Sequence, residues 1–293
     1  MDLFQYDFMI RALVGALIIG LTAPALGIYL VQRRLSLIGD GIGHVALTGV
    51  GVGLLLQQSP VLTAVIVSVV GAIGVELVRE RGRTSGDLAL ALLFYGGIAG
   101  GVVLVGLSDS NSGNLVQYLF GSLITTTRAD VIVIAVLGVA VLVAMLALRP
   151  ALFAVCNDEE YAKVSGLPVR TLNLLLAVTT AVTVTIAMRT VGLLLVSALM
   201  VVPVAAAQQV TRGFRTTMAV AMLIGVVAAA AGVTVSGEVD TPPGATIVIL
   251  AIAVFLAITV GSTVWRVVRQ RMNLDGNHQH AEPSDVVLQA GAR

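Results

Sequence analysis

The chain is 293 residues long, and 57% of them are hydrophobic while only 11% are charged, against about 25% charged in soluble domains. Seventeen basic and sixteen acidic residues leave a net charge of +1, too balanced to mark a polyanionic partner, so no nucleic acid is expected. Apolar runs of about 20 residues recur, the length at which a helix crosses about 30 Å of hydrocarbon, and a β-barrel with its alternating segments is excluded.

The fold class expected is therefore an all-α polytopic membrane protein. In chain order, nine helical spans fall at about residues 8–31, 36–56, 60–78, 86–107, 129–148, 168–188, 190–210, 215–236 and 244–264. The first is a retained anchor and not a cleaved signal, because MDLFQYDF places two acids ahead of Arg11 where a signal carries basic residues. Cys156 is the single cysteine, so no internal disulfide and no thiolate metal cage exist. The span 168–210 divides at Arg189 and Thr190, since about 43 residues would overrun a bilayer as one helix.

Between spans four and five, residues 108–128 contain LVQYLFGSLI, too short to cross and read as interfacial or re-entrant. Residues 149–170, RPALFAVCNDEEYAKVSGLPVR, form the longest connection. A helical stretch is expected around Asp158 to Ser165, stopped by Gly166 and Pro168. Pro242 and Pro243 stiffen the loop at 236–245. Residues 1–265 make the transmembrane domain and 266–293 a cytoplasmic tail, with a disordered composition from about Asn273.

Nine spans with the N-terminus outside put Arg33, Arg34, Arg79, Arg81, Arg83, Arg149, Lys163, Arg170, Arg212, Arg215 and the four tail arginines in the cytoplasm. Only Arg11, Arg128 and Arg189 fall on the outer side, and the C-terminus is cytoplasmic, as the positive-inside rule requires. Several further charges have ordinary explanations. Asp87 favours the dipole at the start of span four. Glu76, Arg79, Glu80, Arg81 and Arg83 read as a solvated cluster. His278 and His280 lie in the tail as HQH.

Span two opens with GDGIGHVALTGVGVG, in which Asp40 and His44 stand at i and i+4 on one helical face, with Cβ atoms about 5 to 6 Å apart. A carboxylate and an imidazole together suit Zn²⁺, Mn²⁺ or Fe²⁺ better than Mg²⁺ or Ca²⁺. Two ligands are too few for a structural zinc site but suit an ion that must be released. The alternative is an Asp40 paired with an arginine and a His44 bonded to a carbonyl. Glycines at spacing four around the pair, Gly39, Gly43, Gly49 and Gly53, allow close helix approach and place it inside a bundle. Gly96, Gly97, Gly100 and Gly101 do the same in span four. Glu238 and Asp240, in the outer loop, are further candidates for attracting a cation.

The run RRLSLIGDGIGH at 33–44 resembles the start of the second helix in permeases of zinc- and manganese-type ABC importers. Matches follow in order at YLFGSLI (118–124), VGLLLVSALMVVPVAAAQ (191–208) and VDTPPGATIVI (239–249). The likeness runs from about residue 10 to 265. It implies a multi-pass plasma-membrane permease, paired with itself or a second permease, that works with a cytoplasmic ABC ATPase and an extracytoplasmic metal-binding protein in the surrounding lipid. It implies a transported Zn²⁺ or Mn²⁺, with iron a further option, and no permanently bound cofactor. It also implies that the segment holding Asp158, Glu159, Glu160, Ala162 and Gly166 docks into the ATPase, with Ala162 and Gly166 matching the coupling segment. Ser122 departs from the Asp or Asn that many relatives carry there.

No GxxxxGK[ST] occurs, so ATP hydrolysis belongs to a partner and the chain itself is not an enzyme. A secondary cation transporter or channel using Asp40 is the competing reading, although no internal repeat supports it. An intramembrane enzyme is weaker still, for want of HExxH, GxSxG or paired carboxylates.

Overall fold

A computed structural model describes residues 6–80, 86–108, 118–121, 126–188 and 190–278. Among the described residues there are helices and no strands. The helices are α1 (Asp7–Gln32), α2 (Ile38–Leu55), α3 (Pro60–Glu80), α4 (Gly86–Leu107), α5 (Arg128–Ala147), α6 (Arg149–Asn157), α7 (Glu159–Val164), α8 (Val169–Ala187), α9 (Leu193–Val210), α10 (Phe214–Val239) and α11 (Pro243–His278). Eight of them are long and apolar enough to cross a membrane, and α9 adds a shorter apolar stretch, Val196–Val210.

The span expected at 190–210 is present as α9, whose 18 residues equal those of α2, and the turn that leads into it is buried. The α8–α9 turn does not reach the surface: Met188, Thr190 and Val191 are buried. Phe120–Gly121 packs on this turn backbone to backbone, so that a Cβ on Gly121 would lie 2.6 Å from the Thr190 carbonyl oxygen. Gly192, the N-cap of α9, takes φ +91°, which favours glycine. The connection after α5 also holds two helices where one was expected. Leu148 interrupts the helix for one residue, and Pro150 then sits in the first turn of α6, where a missing N–H costs nothing. Helix α11 continues past residue 265 to His278. Of the features singled out in the sequence, Ser122, Arg189, Arg81, Arg83, His280, the side chains of Asp87 and His278, and most of 108–128 lie outside the described residues.

Helices α1, α2 and α8 are largely buried, whereas α3, α4, α5 and α11 turn apolar side chains outward, among them Ile66, Val70, Leu92, Val136, Val143 and Leu256. That inversion suits a lipid solvent, in which helices associate by close packing and not by hiding apolar area. The packing is accordingly made by glycine. A Cβ on Gly20 of α1 would lie 2.6 Å from the Gly225 oxygen of α10, and one on Gly49 of α2 would lie 2.5 Å from Cα of Ala64 on α3. Tyr29, near the end of α1, rests against Phe214 at the start of α10, and its hydroxyl donates to the Met145 carbonyl near the end of α5 at 2.8 Å.

These contacts sort the polar ends. Arg33 is bonded to Glu159, Arg170 to Glu80, and Phe153 stacks near Phe214, so the basic residues around α1's C-terminus share one end of the bundle. At the other end an exposed Asp7–Arg128 pair, 3.2 Å apart, joins the starts of α1 and α5.

Candidate metal site and coupling region

Asp40 is the third residue of α2 and His44 lies one turn further along the same face. The sequence leaves the depth of this pair open, and the packing decides it. A Cβ on Gly97 would lie 2.6 Å from the carbonyl carbon of His44, and one on Gly71 would press on Val45 at 2.8 Å. Gly97 is the twelfth of 22 residues in α4, and Gly71 the twelfth of 21 in α3. His44 therefore sits level with the middle of two membrane-spanning helices, with Asp40 about 6 Å nearer the arginine-rich end. At the centre of a span an ionised carboxylate costs roughly 2.5 to 3.5 kcal/mol on insertion scales, and Asp40, one turn from it, bears part of that cost, which makes a function the default account of it.

The immediate surroundings fit a ligand role. Asp40 lines a groove of about 270 Å³ between α2 and α4 with Leu37, Leu90, Ala91, Phe94 and Tyr95. Phe94 packs edge-on against the His44 ring, with centroids 4.4 Å apart, and so fixes the imidazole plane. His44 is 7% exposed, and its Nδ1 is buried without a hydrogen-bond partner. Among the described residues, no ion pair or hydrogen bond reaches the Asp40 carboxylate. The bland alternative, an arginine on Asp40 and a carbonyl on His44 Nδ1, is absent there. An unpaired carboxylate and an orphaned imidazole nitrogen one turn apart are chemically an incomplete site for a divalent ion.

No group of three or more His, Cys, Asp or Glu that could hold a metal occurs among the described residues. The groove is also open at the surface of the single chain, where Leu37 and Tyr95 are exposed. Glu238 and Asp240 are not brought to this site. Both are exposed, at the C-terminal end of α10, where Asp240 caps the helix with a left-handed φ of 55°. Gly225 packs on Gly20 at mid-helix, which leaves Glu238 about 20 Å further along.

At the arginine-rich end α7 forms where a helical stretch was expected. Asp158 caps it, its carboxylate accepting from the Tyr161 N–H at 2.9 Å, and Gly166 at φ +80° ends the segment. The five residues named from the sequence do not share one face. Ala162 is fully buried, Glu159 turns inward to Arg33, and Asp158, Glu160 and Gly166 are exposed, with the Asp158 carboxylate spent on the cap. Two residues not named from the sequence, Tyr161 (67% exposed) and Val164 (88% exposed), make the outward surface. Burial first and the neighbouring Arg79 second draw the Arg33 pKa below its usual value, with Glu76 and Glu159 partly offsetting them. Burial likewise pushes the Cys156 thiol up to about 11, although Arg33 opposes this.

Comparison with known proteins gives the same picture. Residues 5–262 match the ABC 3 transport family. The chain is 31% identical to the manganese transport system membrane protein MntC of Halalkalibacterium halodurans, covering 87% of each protein. It is 27% identical to the high-affinity zinc uptake system membrane protein ZnuB of Haemophilus influenzae, over 86% of this chain and 97% of that one. Its fold superposes on the solved PsaBC from Streptococcus pneumoniae in complex with Fab with a TM-score of 0.78 at 28% identity, covering 88% of this chain and 92% of that one. With the match running from the start of α1 into α11, the chain belongs to the ABC 3 transport family.

Proposed function

We propose that this chain is the membrane-spanning subunit of an importer for divalent first-row metal ions, manganese or zinc, in which Asp40 and His44 hold the ion at mid-membrane. The observation that carries this reading is the unpaired carboxylate and the orphaned imidazole nitrogen one turn apart on α2, level with the middle of α3 and α4.

The open groove and the two-ligand set favour a second permease copy across from the first. Two copies would bring four donors and shut the carboxylates away from lipid. The arginine-rich end faces the cytoplasm by the positive-inside rule, so α7 presents Glu160, Tyr161 and Val164 to a separate ATPase. The ion arrives from an extracytoplasmic binding protein at the opposite end, where Glu238 and Asp240 are exposed to attract it. Residues 1–265 carry these roles, and the remainder extends into the cytoplasm as a tail. Within the site, Asp40 supplies charge to a cation stripped of water, and His44 supplies a nitrogen donor that discriminates against Mg²⁺ and Ca²⁺. Phe94 holds the imidazole so that little ordering remains when the ion enters.

The test is accumulation of manganese, zinc and iron in cells expressing the parent, Asp40→Ala or His44→Ala at matched membrane levels. Uptake of the physiological ion is expected to fall by about tenfold or more in each variant. Parental uptake in both variants would remove the site.

A further inference from the structure

Arg33 ends α1 and begins the turn that delivers Asp40. Backbone bonds tie that turn to the end of α1 and the start of α2: Arg33 N–H donates to Tyr29 O at 3.1 Å, Arg34 to Val31 O at 3.1 Å, Leu35 to Leu30 O at 2.8 Å and Ile38 to Leu35 O at 3.0 Å. Arg34 takes the left-handed conformation, φ 59°, that such a helix-ending motif requires. The segment between Arg33 and Asp40 therefore has little slack.

The Arg33 side chain is 6% exposed, and its fork is divided between two other helices. Nη1 donates to Asn173 Oδ1 on α8 at 2.7 Å, and Nη2 donates to Glu159 Oε2 on α7 at 3.1 Å. The other Glu159 oxygen holds Lys163 Nζ one turn along α7 at 3.2 Å. Helix α7 packs on α6 and α8, and it reaches the α1–α2 turn through the Glu159 carboxylate. Charge neutralisation alone would be served by any nearby cation. The two acceptors lie on different helices, and a planar fork can serve both in fixed directions, which an ammonium cannot.

We propose that Arg33 is a positioning residue for transport, the strut that carries motion of α7 to the Asp40-bearing turn of α2. When the ATPase shifts the outward face of α7, Glu159 draws the guanidinium with it. Asn173 keeps the fork seated on α8, and the bonded turn passes the displacement to Ile38 through Asp40. The metal carboxylate thus feels the state of the ATPase through one side chain. This rests on the metal-importer reading above.

The test uses the permease assembled with its ATPase in proteoliposomes, with manganese uptake and ATP hydrolysis measured together. In Arg33→Lys, uptake per ATP hydrolysed is expected to fall by about tenfold while hydrolysis stays within about twofold of the parent. Arg170→Gln, which removes the half-exposed 3.1 Å pair with Glu80 at the same end, is expected to leave the ratio unchanged. A parallel loss of uptake and hydrolysis in Arg33→Lys, or an unchanged ratio, would overturn the strut.

A second readout needs no metal, so it separates failure of the strut from failure of the metal site, which Asp40→Ala uptake reports. Nitroxides are placed on the exposed residues Gln32 and Ser165, the C-cap of α7, in a Cys156→Ser background, and their separation is measured with and without nucleotide. In the parent the two labels are expected to move together and keep one distance. In Arg33→Lys the distribution is expected to broaden or split on adding nucleotide. Identical distributions in parent and variant would contradict the proposal.

Discussion

Gly97 offers a quantitative check on the packing that sets the site. A Cβ there would lie 2.6 Å from the His44 carbonyl carbon, 2.6 Å from the Val45 nitrogen and 2.9 Å from the His44 oxygen. Carbon contacts settle at about 3.5 Å, so in Gly97→Ala α4 would have to withdraw from α2 by roughly 1 Å. The obstacle is helix backbone, which cannot rotate aside. The overpacking penalty is about 1 to 3 kcal/mol, set against about 0.8 to 1 kcal/mol of helix preference that any Gly→Ala change gains. Gly74→Ala supplies the reference, because a Cβ at Gly74 meets nothing within 4 Å. The comparison is made by titrating the purified protein in mixed micelles with SDS and following helix loss. Gly74→Ala is expected to match or exceed the parent, and Gly97→Ala to fall below Gly74→Ala by the full penalty. A difference of about 2 kcal/mol is roughly a 30-fold change in the unfolding equilibrium. Withdrawal of α4 also carries Phe94 off the His44 ring, so metal uptake is expected to drop in folded Gly97→Ala. Equal stability of the two variants would refute the close approach, and with it the depth assigned to His44.

Cys156, with its thiol pushed up to about 11 from an ordinary 9.0, is expected to react with iodoacetamide at about pH 8 roughly 100-fold more slowly than an unperturbed thiol, since the thiolate is the nucleophile. The neutral thiol is favoured in the folded state. Its stabilising contribution is therefore full below about pH 9 and lost as pH rises towards 11, so melting temperature should decline more over that window in the parent than in Cys156→Ser. On α7, Val164→Glu and Tyr161→Ala should reduce co-purification of the ATPase without lowering the amount of permease in the membrane. Undiminished complex in both variants would show that this face is not the docking surface. Tyr29→Phe should cost about 0.5 to 1.5 kcal/mol in the same SDS titration through loss of the buried 2.8 Å bond to Met145 O.

Much of the protein was legible in one dimension because the bilayer restricts what a chain can do. An apolar run of about 20 residues has to be a helix there, with its backbone bonds satisfied internally, so the spans and their order follow from composition. The Asp40 and His44 spacing was legible for a similar reason, since i and i+4 share a helical face whatever the tertiary structure. So was the short helix around Asp158 to Ser165, through its capping acid and its terminating glycine.

Non-local packing decided the rest. Helical periodicity carries no information about where along its neighbours a helix stops. Only Gly97 and Gly71 closing on α2 place His44 at mid-depth, and only the Phe120–Gly121 contact draws the α8–α9 turn inward. The division of α7 into an inner and an outer face was equally hidden. Which of its charged residues turns inward depends on Arg33, 126 positions earlier in the chain, and Glu159 is spent on that partner while Tyr161 and Val164 are left facing out. Local sequence sets which groups a helix carries, whereas the shape of its neighbours, through steric exclusion and the cost of leaving a buried charge unpaired, sets which of them remain free to meet an ion or another subunit.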